Sequence, residues 1–382
     1  MDYSNTIEFI KNLYANHDII HLHEPILGEL EKEYLCDAID STFVSSVGPF
    51  VEQFEKDIAQ LTGAKHAIAI NNGTSALHLS LVALGVEPKD AVITQALSFV
   101  ATANAISYCH AEPIFIDINE QTLSLCPVAL ENFLLENCKI KNGYCVLTKS
   151  NQKIKACIPM HTFGHPAKIK EILKVCNQWH IKVIEDAAES LGSYVDDQHT
   201  GTFGEVGILS FNGNKIITAG GGGCILTNNQ PLAKKLKHLS TTAKVPDKNH
   251  FIHDDVGYNY RLPNINAALL MAQLKQFDNF LNCKRDIAMQ YNHHFKNLSF
   301  NFFEEPSGTK SNYWLNTIIT NNEDEKQSFL SALHSNNIMA RGSWLPLNDL
   351  PMYQFALNDG CSVSQDYSKR IINLPSGVPR RA

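Results

Sequence analysis

Short apolar runs rich in β-branched residues alternate with amphipathic stretches between about residues 65 and 230. The strand candidates are Ala67–Ile70, Ala91–Thr94, Pro113–Ile118, Ala156–Met160, Lys182–Glu185, Gly207–Phe211 and Gly223–Leu226. Between them, Ser75–Ala83, Val100–Tyr108 and Lys168–Asn177 have helical periodicity. This alternation predicts an α/β fold with a large domain, in which helices cover both faces of a mainly parallel, seven-stranded sheet.

The pattern differs at the two ends of the chain. Apolar residues at helical spacing predict a peripheral helix within residues 1–20. After residue 250, a long helix from Ile265 to about Phe295 precedes a strand at Trp314–Ile319 and a helix around Lys326–Asn336. We therefore predict an N-terminal helix (1–20), a large domain (21–250) and a smaller C-terminal α/β domain (251–382).

Composition narrows the class of protein. A net charge of −7 gives no reason to expect nucleic acid or an anionic membrane as partner. No apolar run approaches the roughly 18 residues that a membrane-spanning helix needs, and the start of the chain lacks the features of a signal peptide. The ten cysteines are scattered, without a CxxC pair or a metal-like cluster with histidine. We expect a cytoplasmic protein without a metal site.

Candidate chemistry centres on Lys215, which ends the segment Ser210–Lys215 and precedes the glycines 220–223. Asp186 follows an apolar strand, where an unpaired carboxylate would be costly. A lysine that can form a Schiff base, a carboxylate that can hold a pyridinium nitrogen and glycines for close backbone approach are what pyridoxal phosphate needs. Alternatively, Lys215 is a surface lysine, Asp186 forms a salt bridge and Ser210 caps a turn.

Three other positions are candidates for cofactor contacts, and one of them, Asn72–Ser75, follows a predicted strand, where ligands bind in such sheets. The segment Asn72–Ser75 precedes an apolar helix, where Thr74 or Ser75 is expected as N-cap and a phosphate is compatible with the helix N-terminus. Phe99 is either a core residue or a ring that stacks on the cofactor. Glu189 either bonds the cofactor's ring oxygen or is the first exposed acid of a loop.

The chain resembles the DegT/DnrJ/EryC1/StrS sugar-nucleotide aminotransferases, a fold-type-I group that uses pyridoxal phosphate, from His23 to Ser376. The matching segments are Asn72–Leu77, Ser98–Thr102, Glu185–Ser190, Ser210–Lys215 and Gly257–Arg261. The resemblance implies that Lys215 is the Schiff-base lysine, that Asp186 holds the pyridinium and that Phe99 stacks on the ring. It also implies cofactor contacts by Gly73, Thr74, Ser75, Glu189 and Ser210, the hydroxyl residues binding phosphate.

By the same resemblance, Asn259 reaches the phosphate of the neighbouring subunit's cofactor, which implies a homodimer with shared active sites. Ser45–Gly48, His161–Pro166 and Asn212–Lys215 are most similar to the branch that aminates C4 of UDP-4-keto-6-deoxy-N-acetylhexosamines. That branch makes sugars of the legionaminic acid or bacillosamine type for surface glycans such as the O-antigen of lipopolysaccharide.

The resemblance implies glutamate as amino donor and a nucleotide-linked keto sugar as acceptor. Substrate candidates are Ser46, His161, Arg261 and Arg341, although either arginine also fits a structural ion pair. Asn348 departs from the family pattern, in which histidine is frequent. Two other functions stay open at this point: amination of another nucleotide keto sugar, for example at C3, and a regulatory protein that binds pyridoxal phosphate without catalysis. The intact set of Lys215, Asp186 and Ser210 speaks against the second.

Overall fold

The computed structural model describes residues 2–15, 17–296 and 298–379. Its α-helices are α1 (Ser4–Leu13), α2 (Glu29–Asp40), α3 (Pro49–Thr62), α4 (Gly73–Ala83), α5 (Val100–Tyr108), α6 (Pro127–Asn137), α7 (Ile169–Gln178), α8 (Gln230–Ser240), α9 (Asn264–Lys275), α10 (Phe277–Phe295), α11 (Glu323–His334) and α12 (Ser362–Ser368). Short 3₁₀ turns lie at Thr162–Gly164 and Leu347–Asp349. None of the described helices is long and apolar enough to cross a bilayer.

The strands of the large sheet are β1 (His66–Ile70), β2 (Ala91–Gln95), β3 (Glu112–Ile116), β6 (Ile154–Ile158), β7 (Lys182–Asp186), β10 (Val206–Ser210) and β11 (Gly223–Thr227). The remaining strands are β4 (Cys138–Lys141), β5 (Tyr144–Leu147), β8 (Tyr194–Val195), β9 (Gln198–His199), β12 (Lys244–Val245), β13 (Ile252–His253), β14 (Asn301–Phe302), β15 (Thr309–Lys310), β16 (Asn316–Ile319), β17 (Arg341–Gly342) and β18 (Ile371–Leu374).

The large sheet has the order β1-β11-β10-β7-β6-β2-β3 and contains all seven predicted strands. Strands β10, β7, β6, β2 and β3 pair in parallel, whereas β11 is antiparallel to both of its neighbours. Alternate residues of β1 face opposite sides: Ile68 and Ile70 pack with α4 and α8, and Ala69 packs with α3 and α9. Helices therefore cover both faces, and the predicted α/β fold is confirmed.

A second, antiparallel sheet has the order β14-β16-β18-β17 and lies in the C-terminal part of the chain. Its core includes Ile318 and Ile372, and it also takes in Ile10 of α1 and Ile287 of α10. The N-terminal helix therefore packs against C-terminal elements. The predicted domain boundaries stay a prediction, and residues 1, 16, 297 and 380–382 within them lie outside the described residues.

The single long helix predicted from Ile265 to Phe295 is wrong, because the chain leaves helical geometry at Gln276 (φ −102°, ψ 0°). Helix α10 begins in the same core as α9, through Phe277 and Phe280, and continues into a second core. Helix α9 packs with α3 against the large sheet, and α10 reaches the core of the antiparallel sheet.

Candidate active site

Lys215 lies in the loop between β10 and β11, near the carboxyl end of the parallel strands. The loop is closed at its base by Phe211, whose N–H donates to Gly222 O at 2.9 Å. The Lys215 side chain is only 12% exposed, and its Nζ is 3.4 Å from Oε1 of Glu189. Lys215 is therefore enclosed and paired, which is unlike a solvated surface lysine.

Asp186 is the last residue of β7 and is almost fully buried. Thr102 Oγ1 donates to its Oδ2 at 2.7 Å, and the Ala188 N–H donates to its Oδ1 at 3.2 Å. Burial raises the pKa of this carboxyl, and the hydrogen bond from Thr102 partly opposes the rise. Within residues 2–15, 17–296 and 298–379, Asp186 forms no salt bridge. A buried carboxylate without a cation fits a protonated ring nitrogen.

Phe99 immediately precedes helix α5, and the residue is 50% exposed. A core position for Phe99 is therefore wrong, and its exposed ring is accessible to a ligand. The same helix carries Thr102, which binds Asp186. Helix α5 thus fixes the aromatic ring relative to the buried carboxylate.

The N-terminus of helix α4 lies beside Ser210, the last residue of β10. A Cβ built on Gly73 would be 3.2 Å from Cβ and 3.5 Å from Oγ of Ser210, so any larger residue would crowd this space. Asn72 is the N-cap, since its Oδ1 accepts from the Ser75 N–H at 2.8 Å. The expectation that Thr74 or Ser75 caps the helix is therefore wrong. The helix dipole and nearby hydroxyl groups suit a phosphate.

Glu189 is buried rather than the first exposed acid of a loop. Its Oε2 accepts from the Phe163 N–H at 3.0 Å, and its Oε1 faces Lys215. Burial raises the pKa of Glu189 to about 7, although the positive charge of Lys215 opposes the rise. This carboxyl can therefore gain or lose a proton near neutral pH, next to the amine of Lys215.

His161 does not fit its predicted role as a sugar contact. The side chain is fully buried, its Nε2 bonds Oε2 of Glu185 at 3.0 Å, and its Nδ1 accepts from the Ala167 N–H at 3.0 Å. Both ring nitrogens are thus occupied by protein groups, and no polar atom remains for a substrate.

The other predicted substrate residues are scattered. Ser46 is half-buried in a loop whose Ser45 O accepts from the Asn264 N–H. Arg261 pairs its backbone with Ile70, and Arg341 is exposed on β17. In the described part of the chain, neither arginine forms a salt bridge, so the ion-pair alternative is not observed. Asn259, the predicted contact to a partner's cofactor, is exposed.

Trp314 is the main residue that sequence reasoning missed. Its ring centre is 3.9 Å from Nζ of Lys215, and its indole N–H donates to Asn214 O at 2.7 Å. The sequence placed Trp314 only at the start of a strand. The polar–aromatic segment 311–314 was the only local sign of a functional residue here. It could not show the contact between Trp314 and Lys215, because the two residues are far apart in the chain.

The assembled groups fit pyridoxal phosphate. Lys215 offers the amine, Asp186 the carboxylate for a ring nitrogen, Phe99 an exposed aromatic ring, and Ser210 with the start of α4 a place for phosphate. These groups converge at the carboxyl edge of the sheet, where ligands bind in such folds.

Comparisons with known proteins agree with this chemistry. A family model described as the DegT/DnrJ/EryC1/StrS aminotransferase family matches residues 25–379. The chain is 39% identical over 366 residues to EpsN of Bacillus subtilis (94% of this chain, 92% of that protein), whose description as a pyridoxal phosphate-dependent aminotransferase is provisional. It is 37% identical over 361 residues to GDP-perosamine synthase of Vibrio cholerae (94% of each). PseC of Helicobacter pylori, an aminotransferase involved in the biosynthesis of pseudoaminic acid, has a similar structure (TM-score 0.84, 25% identity, 94% of this chain and 93% of that chain).

Proposed function

This chain belongs to the DegT/DnrJ/EryC1/StrS aminotransferase family, and on that premise we propose that it transfers the amino group of glutamate to C4 of a UDP-4-keto-6-deoxy-N-acetylhexosamine. It is a nucleotide-sugar aminotransferase with pyridoxal phosphate as cofactor, which removes the non-catalytic alternative. The observation that carries the proposal is the convergence of Lys215, Asp186 and Glu189 at one edge of the sheet.

When bound, pyridoxal phosphate supplies an aldehyde that accepts amines and a ring that takes up electron density from the neighbouring carbon. Asp186 would hold the ring nitrogen and keep it protonated, because this buried carboxylate accepts from Thr102 and Ala188 and forms no salt bridge with any described residue. Phe99 would orient the ring by stacking. Ser210, Thr74 and Ser75 would hold the phosphate at the start of α4.

Lys215 moves protons in both halves of the reaction. Its Nζ would take the proton from the α-carbon of glutamate and pass it to the cofactor carbon that bears the amino group, and in the second half it would move a proton from that carbon to C4 of the sugar. Glu189 Oε1 lies 3.4 Å from this nitrogen. The amine is thereby kept at the position where the proton is exchanged.

Two observations bear on the nucleotide. The segments Ser45–Gly48 and His161–Pro166 are similar to the UDP-sugar branch, which supports UDP. Relatives from Vibrio cholerae and Escherichia coli O157:H7, 37% and 35% identical, are named GDP-perosamine synthases and support a GDP-linked keto sugar as the second candidate. The buried His161 weakens the first line of support, because it offers no atom to the sugar.

The active enzyme in this proposal is a homodimer with shared active sites, and Asn259 of each chain serves the other chain's cofactor phosphate. Asn259 is exposed and therefore accessible to a second chain. Nearby Phe251 and Val256 are 86% and 78% exposed, which leaves apolar surface for such a contact.

The test is a product assay with glutamate and each acceptor in turn: the UDP-linked 4-keto-6-deoxy-N-acetylhexosamine and the GDP-linked keto precursor of perosamine. The proposal expects turnover of the UDP sugar, with nitrogen at C4 by NMR of the product. Turnover of the GDP sugar alone would favour the second candidate. Nitrogen at C3 would contradict the assigned carbon.

A further inference from the structure

We propose that Glu189 and Trp314 form a receiving site that holds the amine of Lys215 whenever this amine is not bonded to the cofactor. The inference rests on the proposed role of Lys215, whose amine is displaced when the amino donor bonds the same cofactor carbon. Both residues act through Lys215 and are therefore positioning residues. With Trp314 in this role, the residues that position the amine include one outside the large sheet, in the segment that precedes strand β16.

The geometry of the amine carries the inference. Nζ of Lys215 lies between two groups that favour a cation: Oε1 of Glu189 at 3.4 Å and the ring centre of Trp314 at 3.9 Å. An aromatic face attracts an ammonium group within about 6 Å, and the attraction grows when water is excluded. The Lys215 side chain is 12% exposed and Trp314 is 5% exposed, so water is largely excluded here.

Asn312 joins the two halves of the receiving site. Its Nδ2 donates to Glu189 O at 2.9 Å, and its Oδ1 accepts from the Trp314 N–H at 2.8 Å. Asn312 is fully buried, so these bonds do not compete with water. Trp314 in turn donates its indole N–H to Asn214 O, next to the lysine itself. The acid, the ring and the lysine loop are therefore held as one unit.

The neighbouring turn at residues 162–164 fixes the carboxylate. The Phe163 N–H donates to Oε2 of Glu189, which directs the other oxygen towards Lys215. Gly164 has φ +96°, and a Cβ there would be 1.9 Å from Oδ1 of Asn312. Only glycine allows this turn to approach Asn312. With the turn in this place, Phe163 occupies one oxygen of Glu189, and the other oxygen is left for the amine.

A receiving site for the Lys215 amine is useful in an amino transfer that proceeds in two half-reactions. A released lysine must stay close to the reacting carbon, because it moves protons there and must later bond that carbon again. Glu189 can share a proton with the amine near neutral pH, since burial raises its pKa to about 7. Asp186 also faces Glu189 and favours its neutral form, whereas Lys215 favours the ionised form.

The test uses the folded protein without cofactor. Acetic anhydride acetylates free amines, and peptide mass spectrometry gives the labelling of Lys215 relative to exposed Lys248 in each sample. Glu189→Gln and Trp314→Leu should each raise this ratio by about fivefold or more, the effect of roughly 1 kcal/mol per lost partner. Trp314→Phe keeps an aromatic face but loses the N–H, so it should give an intermediate ratio.

Trp179→Leu removes an indole at the C-cap of helix α7, in a different core from Trp314, and should leave the ratio unchanged. The pH profile separates positioning from a general loosening of the loop. The wild-type ratio should rise with falling pH through the neutral range as Glu189 takes up a proton, and Glu189→Gln should lose this dependence. Equal ratios in wild type, Glu189→Gln and Trp314→Phe would overturn the inference, even if Trp314→Leu did not fold.

The labelling experiment contains neither cofactor nor sugar, so its outcome is independent of the acceptor. Unchanged labelling together with turnover of the UDP sugar would refute the receiving site alone. Increased labelling in the variants without turnover of any keto sugar would refute the proposed function alone.

Discussion

Nζ of Lys215 lies 3.9 Å from the ring centre of Trp314. This contact links the loop between β10 and β11 of the large sheet to the segment that precedes β16 of the antiparallel sheet. The indole N–H of the same ring binds the backbone of Asn214, so the link includes both the side chain and the loop. The position of the reactive amine therefore depends on C-terminal elements as well as on the strands that precede it.

Asp186→Asn should change stability in opposite directions with and without cofactor. Burial raises the pKa of Asp186, so its ionisation favours unfolding, and wild-type stability falls as pH rises towards the folded-state pKa. Without cofactor, the variant should therefore have the higher Tm at neutral pH. With pyridoxal phosphate, wild type gains a cation partner and the variant does not, so its Tm should rise less.

Turnover of Asp186→Asn should fall by about 10²-fold or more, because an amide cannot stabilise a positive ring nitrogen. Thermal unfolding of both proteins with and without cofactor, together with a steady-state assay, checks both effects. An equal gain in Tm on adding pyridoxal phosphate would argue against Asp186 as the partner of the ring nitrogen.

Glu189→Gln should alter the pH dependence of stability in the protein without cofactor. The pKa of Glu189 is raised from 4.5 to about 7, so the folded state binds an extra proton between these values. Wild-type stability should fall across this window as pH rises, and the glutamine variant should lack this fall, with a difference on the order of 3 kcal/mol.

Urea unfolding at a series of pH values measures this difference. Glu131→Gln, an exposed position on helix α6, is the matched control and should follow wild type. A Glu189→Gln curve parallel to wild type would show that the carboxyl is not perturbed by its burial.

Ser210→Ala should weaken cofactor binding. Ser210 lies beside Gly73 at the start of α4, where a phosphate is expected, and a hydrogen bond to a charged group contributes about 1.5–3 kcal/mol. The Kd for pyridoxal phosphate should rise about tenfold or more. Fluorescence titration measures it, with the exposed Ser307→Ala as control. An unchanged Kd would remove Ser210 from the phosphate site.

Gly48→Ala should destabilise the fold through a steric clash. A Cβ at this position would be 2.2 Å from Cγ of Asn264, whose side chain binds Phe43 O at 2.6 Å and the Phe50 N–H at 3.1 Å. Displacing Asn264 breaks these bonds, and the free energy of unfolding should fall by about 2–4 kcal/mol. Gly213→Ala meets no atom within 4 Å and should be neutral in the same denaturation assay.

The strands and the cofactor edge could be predicted because both depend on local pattern. The seven apolar runs became the seven strands of the sheet, and Asp186 ends one of them, as expected. Helix α5 has the predicted bounds, Val100–Tyr108. In these cases the spacing of apolar residues alone determines which face of an element is buried.

The features of the fold and of the site that the sequence did not predict depend on contacts between distant segments. Nothing local in the sequence shows that Glu185 and Ala167 occupy both nitrogens of His161. The break at Gln276 is marked by neither proline nor glycine, and α10 continues from the core that it shares with α9 into the core of the antiparallel sheet. Asn72 rather than Thr74 caps α4, because several residues in one short segment can serve as cap.

The central claim is most directly tested by following the absorbance of the purified protein with pyridoxal phosphate. Cofactor bound through Lys215 should give a visible band that glutamate shifts to shorter wavelength and the UDP-linked 4-keto sugar restores. Lys215→Ala should lack the band while keeping its fold. Recovery of the wild-type band with the keto sugar would support amino transfer to that acceptor, whereas a full cycle in Lys215→Ala, or no band in wild type, would contradict the assigned chemistry.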